Sequence, residues 1–205
     1  MKTRRRYNKI SIIPIQYQQV EYIDGTKAYI VDTDIEILKE GRHFATMAFK
    51  IQNSMLYTNN NNGTKEKFGF QYYKSYDNRW LLMGTSYGIA FSLEMPLSQI
   101  FKSEYYIQDG ISYLIIKDIN GQILNSGSGQ VPVQYGTYSL FGKSTSAQCG
   151  AVLYETFIIL DVNNRKYAEF VPCYRKVDGK AGVYESVRKV FYPIEGTVIV
   201  GLDVN

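Results

Sequence analysis

Short runs rich in tyrosine, phenylalanine and β-branched residues recur along the whole chain, each closed by glycine, asparagine, aspartate or proline. No amphipathic helical pattern longer than two turns comes between them. A chain punctuated in this way must satisfy its backbone by pairing strand with strand, which points to an all-β sandwich and away from a βαβ fold. The composition agrees: 19 Tyr and 10 Phe against one Trp, together with 17 Gly, suit twisted strands and tight turns. At 205 residues the chain is long enough to bury a full core without disulfide or metal staples. No internal repeat and no Pro/Ser-rich hinge interrupts it. The expected organisation is a basic arm over residues 1–15 and one domain over 16–205, its folded part running from near Gln16 to Gly201.

Individual strands can be placed by period. In His43–Ile51, Phe44 falls on one face and Phe49 on the other, which predicts a strand central in a sheet. Phe68–Tyr73, Trp80–Met83 and Tyr87–Leu93 predict a meander, separated by the turn-rich stretches Ser75–Asn78 and Gly84–Ser86. The clearest hairpin spans Tyr113–Leu124, where Asn120-Gly121 would supply the positive φ angles of a tight reversal, with the partner strand ending in Ser126–Gly129. Tyr138–Phe141, Ala151–Leu160 and Tyr167–Val171 complete the set. The asparagine-rich Thr58–Thr64 is expected to be an exposed loop.

Charge and reactive residues narrow the function. The net charge is only +4, and lysine and arginine are dispersed except for Lys2, Arg4, Arg5 and Arg6, so there is no domain-wide basic footprint for nucleic acid. This basic cluster reads as a solvated terminus or as a contact for an acidic partner surface. The following residues, Tyr7–Gln16, lack the unbroken apolar stretch and small-residue cleavage site of a secretion signal, and no run of about 18 apolar residues occurs anywhere. The expectation is a product made in a cytoplasm, outside any membrane. Ile10, Ile12, Ile13 and Ile15 suit two readings equally: an arm that docks on a neighbour during assembly, or the first edge strand of the sandwich. Cys149 and Cys173 read as buried thiols. His43, the single histidine, reads as a strand residue, leaving no zinc set and no Ser-His or Cys-His dyad. Asp32, Asp34 and Glu36 alternate as the carboxylates of jelly-roll glucanases do, but a loop or calcium-touching role is as natural for them. Neither a catalytic residue, a metal ligand nor a cofactor is assigned.

The C-terminal third carries a resemblance. Glu169-Phe170-Val171-Pro172-Cys173-Tyr174-Arg175-Lys176-Val177-Asp178-Gly179 resembles the closing motif of a concanavalin A-like, laminin-G-like jelly-roll family found in virion proteins of tailed phages and surface proteins of gut bacteria. Ala181–Tyr192 is similar to that family's next segment, which leads to a last strand ending near Gly196-Thr197, and Gln19–Ile23 with Tyr29-Ile30 and Asp32-Thr33 is similar to its opening. Two departures stand out: the Asp24–Lys27 turn is shorter and Val31 is added. In addition, the family's second cysteine has no match at Thr156–Ile158, so no cysteine pairing carries over to Cys149. The resemblance implies a two-sheet antiparallel jelly roll whose first strand lies beside its last. With no export signal in view, it implies a non-enzymatic virion protein, either a decoration protein on the capsid or a fibre component. Such a protein binds other virion subunits or copies of itself, with Lys2, Arg4, Arg5, Arg6, Ile10, Ile12 and Ile13 as the docking arm. The alternative is a glycan-binding adhesion module using Tyr72, Tyr73, Tyr76, Asn78, Trp80 and Tyr87. A glycoside hydrolase ranks last.

Overall fold

A computed structural model describes residues 13–29, 33–50, 54–60, 68–74, 80–85, 90–92, 97–130, 136–141 and 150–204. Among them the chain forms two antiparallel sheets and no helix. Across the larger sheet the order is β10 (Ile123–Gln130), β9 (Ile111–Lys117), β8 (Phe101–Gln108), β3 (Arg42–Phe49), β12 (Ala151–Leu160), β13 (Lys166–Arg175), β14 (Ala181–Glu185) and β15 (Val190–Pro193). Beside this path, β1 (Tyr17–Gln19) pairs with β13, and β2 (Tyr22–Tyr29) lies between β12 and β16 (Glu195–Val200). The smaller sheet runs β11 (Thr137–Leu140), β4 (Ser54–Asn60), β5 (Phe68–Lys74), β6 (Trp80–Thr85) and β7 (Ala90–Ser92).

Alternation decides which side chains enter the core. Phe101, Ser103 and Tyr105 of β8 face inward, as do Ser112, Leu114 and Ile116 of β9, while their neighbours are half-buried on the outer face. His43, Ala45, Met47 and Phe49 of β3 and Leu153, Phe157 and Ile159 of β12 continue this inner layer. Leu56, Tyr138 and Leu140 of the smaller sheet belong to the same buried cluster, which makes the two sheets a sandwich. Each fully buried ring or branched side chain contributes about 1.5–3 kcal/mol. A polar contact crosses the layers: His43 Nε2 and the Tyr138 hydroxyl lie 2.8 Å apart. Burial lowers His43 to about 3, so the imidazole stays neutral in the fold.

The expected central strand and the Ala151–Leu160 strand are formed, and the meander is formed with one correction: Gly84 and Thr85 are not turn but the end of β6, where Thr85 pairs with Phe68, and of the expected Tyr87–Leu93 strand the described part is Ala90–Ser92. Cys173 is a buried thiol, and burial pushes it up to about 12. Cys149 lies outside the described residues.

Three further local expectations are corrected. The β9–β10 reversal is not a two-residue turn with both angles positive. Gly121 alone takes a positive φ, 92°, and its N–H donates to the Asp118 carbonyl. The Asp118 carboxylate also accepts the Gln122 N–H, and a bulge follows at Ile123–Asn125. Thr58, Asn59 and Asn60 are not loop but the end of β4, paired with Ser139, Tyr138 and Thr137; Asn61–Thr64 lie outside the described residues. Asp24–Lys27 is not a turn but the middle of β2, where Asp24 pairs with both Val152 and Ile199. The expected closure of the chain does occur, since β2 pairs with β16 and Val20 bridges Asp203.

Candidate binding groove

The larger sheet has several register shifts among the described residues, and the one within β12 against β3 inserts two residues. Tyr154 pairs with Thr46 and Phe157 pairs with Ala45, so β12 inserts Glu155 and Thr156 where β3 inserts nothing. A two-residue bulge keeps the inward parity of Leu153 and Phe157 while pushing the inserted pair out of the ladder. Glu155 adopts the left-handed region at φ 58°, and its N–H donates to the Glu21 carbonyl at 3.2 Å. The bulge also marks a change of neighbour. Before it, β12 pairs with β2 through Leu153–Ile23 and Tyr154–Tyr22; after it, β12 pairs with β13 through Phe157–Phe170.

Where β2 and β13 part, a groove of about 640 Å³ opens, lined among others by Gln19, Glu21, Tyr22, Tyr154, Glu155 and Thr156. Val20, Thr46, Ile100, Ile119, Glu169 and Val204 also line it. A second hollow of about 240 Å³ shares Thr46, Glu155 and Thr156 and continues across β3 and β8 to Glu104 and Lys117. The rings of Tyr22 and Tyr154 sit 5.2 Å apart at 46°. Gly201 lies close to the Tyr22 ring, where an added Cβ would come within 2.7 Å of it.

The polar groups of the groove are partly engaged. Thr46 Oγ1 donates to Glu155 Oε2 at 3.2 Å, and Glu155 is exposed. Glu169 is buried, accepting from Ser186 Oγ at 2.6 Å and Lys166 Nζ at 2.8 Å. Lys117 pairs with Glu104 at 2.9 Å in the adjoining hollow. Beside the tyrosines, buried Asp24 accepts from Lys50, which raises the lysine above its ordinary value. Burial raises the Tyr154 hydroxyl as well, keeping it a protonated donor near neutrality. Together these groups form a surface of fixed aromatic faces, hydroxyls and carboxylates, suited to holding a ligand.

Of the residues singled out by sequence, Ile13, Asp34, Glu36, Tyr72, Tyr73 and Trp80 are described, and none of them lines the groove. Lys2, Arg4, Arg5, Arg6, Ile10 and Ile12 fall outside the described residues. Ile13 is buried against Val171, Cys173 and Tyr184, with Tyr17 and Phe191 beside it, and so is already covered by its own sheet. The stretch from Ile13 to Gln16 is not an edge strand: Pro14 accepts the Tyr17 N–H in a turn, and β1 starts only at Tyr17. Tyr72 and Tyr73 are consecutive on β5 and Trp80 begins β6, whereas Tyr76, Asn78 and Tyr87 are not described. Asp32 is also outside the described residues. Asp34 and Glu36 do not share a catalytic strand. The chain there lies along β11, with Thr33 and Ile35 buried, Asp34 at φ 53°, and both carboxylates exposed. The groove residues went unread, although one sign of them was present: Glu155 occupies an inward position in the otherwise apolar alternation Ala151, Leu153, Phe157, Ile159. Among the described residues no cluster of histidine, cysteine and carboxylate is arranged to hold a metal, and no helix is long and apolar enough to cross a membrane.

A solved structure gives the architecture its place. A native heptameric SAP-like pentraxin from Limulus polyphemus matches 95% of this chain and 97% of its own, with a TM-score of 0.51 and 11% sequence identity. The fold is a concanavalin A-like jelly roll. At that identity the likeness concerns architecture alone. No family model and no curated protein matches the chain.

Proposed function

We propose that this jelly roll acts by binding and not by catalysis, as a structural component of a tailed-phage virion: a decoration protein on the capsid or part of a fibre. The observation that supports this reading is the anchoring of the chain at Ile13. Because Ile13 is buried on the outer face of the larger sheet, the twelve residues before it start from a fixed point on a rigid scaffold. Fully extended, such a segment reaches about 40 Å, enough to meet a neighbouring subunit. Lys2, Arg4, Arg5 and Arg6 would supply charge for an acidic surface, and Ile10 and Ile12 an apolar grip. Next to this exit, Ile15 and Val177 are 88% and 86% exposed and flank the bond from the Lys176 N–H to the Gln16 carbonyl. Two such side chains at one tip add apolar area to a contact that starts there.

The test is co-sedimentation of the full chain, and of a chain lacking residues 1–12, with purified capsids of the phage that encodes it. Binding by the full chain that is lost on truncation is the expected result. Equal sedimentation of both chains, or of neither, overturns the arm-mediated reading.

A further inference from the structure

We propose that the larger groove is the docking site of the protein's own N-terminal arm, residues 1–12, which it holds until a neighbouring subunit competes for them. The arm is the one used in the contact proposed above, but this docking needs no neighbour and stands or falls apart from it.

The course of the chain leads to the groove. The Gln16 carbonyl accepts the Lys176 N–H just past the end of β13, while Ile13 packs on Val171 and Cys173. Followed backwards from Gln16, the chain therefore runs along the outer face of β13 from residue 176 towards 171. The next residue of that strand with the same parity is Glu169, about 7 Å further on, and Glu169 lines the groove. Glu155 belongs to β12, the strand beside β13, and its N–H is bonded to the Glu21 carbonyl. Arg6 precedes Ile13 by seven residues, a reach of up to about 25 Å when extended, so the basic cluster can meet both carboxylates without leaving this face.

Charge selects the occupant. The groove is lined by Glu21, Glu155 and Glu169 and by no lysine or arginine. Glu169 is answered by Lys166, whereas Glu21 and Glu155 are exposed and, among the described residues, in no ion pair. The arm brings Lys2, Arg4, Arg5, Arg6 and Lys9 and no acidic residue. Its Tyr7, Ile10 and Ile12 find apolar partners in Tyr22, Tyr154, Ile100 and Ile119. Lys102 and Lys117 set the limit of the site: they line the adjoining hollow, where Lys117 pairs with Glu104, so a basic segment is drawn to the larger groove and turned away from the smaller one. Tethering at Ile13 presents the arm to its own groove at an effective concentration on the order of millimolar, which favours it over the arm of a second copy in dilute solution.

The experiment is limited trypsin digestion of the full chain, with cleavage after Arg4, Arg5 and Arg6 followed by mass spectrometry. Wild type is compared with Glu21→Gln/Glu155→Gln and with Glu36→Gln/Glu40→Gln, which removes the same charge from exposed residues outside the groove. In about 0.01 M salt, where charges act over about 30 Å, the groove variant should be cut about tenfold faster than the other two chains. In about 1 M salt, where the screening length falls to about 3 Å, the three rates should converge. Glutamine keeps an acceptor for the Thr46 hydroxyl, so the groove variant should unfold at the wild-type temperature, which separates a released arm from a loosened fold. Equal rates for all three chains at low salt, equal acceleration by the two variants, or a difference that survives high salt overturns the proposal. Protection of wild type that grows with protein concentration assigns the groove to a second copy's arm and overturns it too. Digestion reads the isolated chain and sedimentation reads the capsid, so either reading can fail alone.

Discussion

Glu185 and Glu155 are two carboxylates of the same sheet in opposite circumstances. Glu185, at the end of β14, is fully buried and accepts backbone N–H bonds from Glu169 at 3.0 Å, Val187 at 3.0 Å and Arg188 at 2.6 Å, with the Arg188 guanidinium 3.7 Å away. It supplies the acceptors that the tight reversal into β15 would otherwise lack. Glu155 is exposed, takes one hydroxyl bond and sits in a backbone region that costs a non-glycine residue about 1 kcal/mol or more. The first carboxylate stabilises the fold. The second is held at a strained backbone position with its side chain exposed.

That contrast can be broken by substitution. The largest effect is expected just past the bulge, at Phe157→Ala, since Phe157 is fully buried and its ring stacks on Phe170 at 5.7 Å. A loss of about 4 kcal/mol in urea unfolding should follow, and a loss below about 1 kcal/mol would show that the downstream half of β12 is not anchored as described. Next comes Glu185→Ala, expected to cost about 3 kcal/mol by leaving buried N–H groups without acceptors. A near-neutral result there would erase the distinction between the two carboxylates.

Acid sharpens the comparison, because the sealed interior also holds His43. Its folded pKa of about 3 lies below the ordinary 6.5. Above pH 6.5 both the folded and the unfolded chain carry it neutral and it adds no pH dependence. As the pH falls from 6.5 towards 3, the unfolded chain takes up a proton that the fold excludes, so stability should drop by about 1.4 kcal/mol per pH unit. His43→Gln should flatten that slope in urea titrations run between pH 7 and 4; an unchanged slope would assign acid sensitivity to other groups. The smallest effect, and of opposite sign, is expected at Glu155→Gly. Relief of the positive φ should raise stability by up to about 1 kcal/mol by thermal unfolding. A clear loss of stability instead would mean that Glu155 serves the fold.

Strands whose pattern is local were legible in advance. Ala151–Leu160 and the strands β5, β6 and β7 announce themselves by their runs of aromatic and aliphatic residues, although Gly84-Thr85 belongs to β6 and not to the turn after it. Residues with two uses misled. Asp24-Gly25 looks like a turn, yet Gly25 is inside β2, where a Cβ would collide with the Phe141 ring. The demand is for close approach and not for reversal. Asparagines read as loop formers, but Asn59 and Asn60 are held in register by β11. The groove could not be read directly, because it depends on β2 and β13 sharing β12, a relation between residues more than a hundred positions apart in the chain.

The sharing of β12 has a temporal consequence. β2 leaves synthesis early, but its two partners, β12 and β16, follow only after most of the remaining chain has been made. Until then the nascent chain holds an opening strand with neither edge satisfied, and the ring closure that joins both ends of the molecule is its last large loss of chain entropy. Folding should therefore be slow for a single domain and complete only once β16 has been made. A chain cut before Glu195 would expose one edge of β2 to whatever strand comes near.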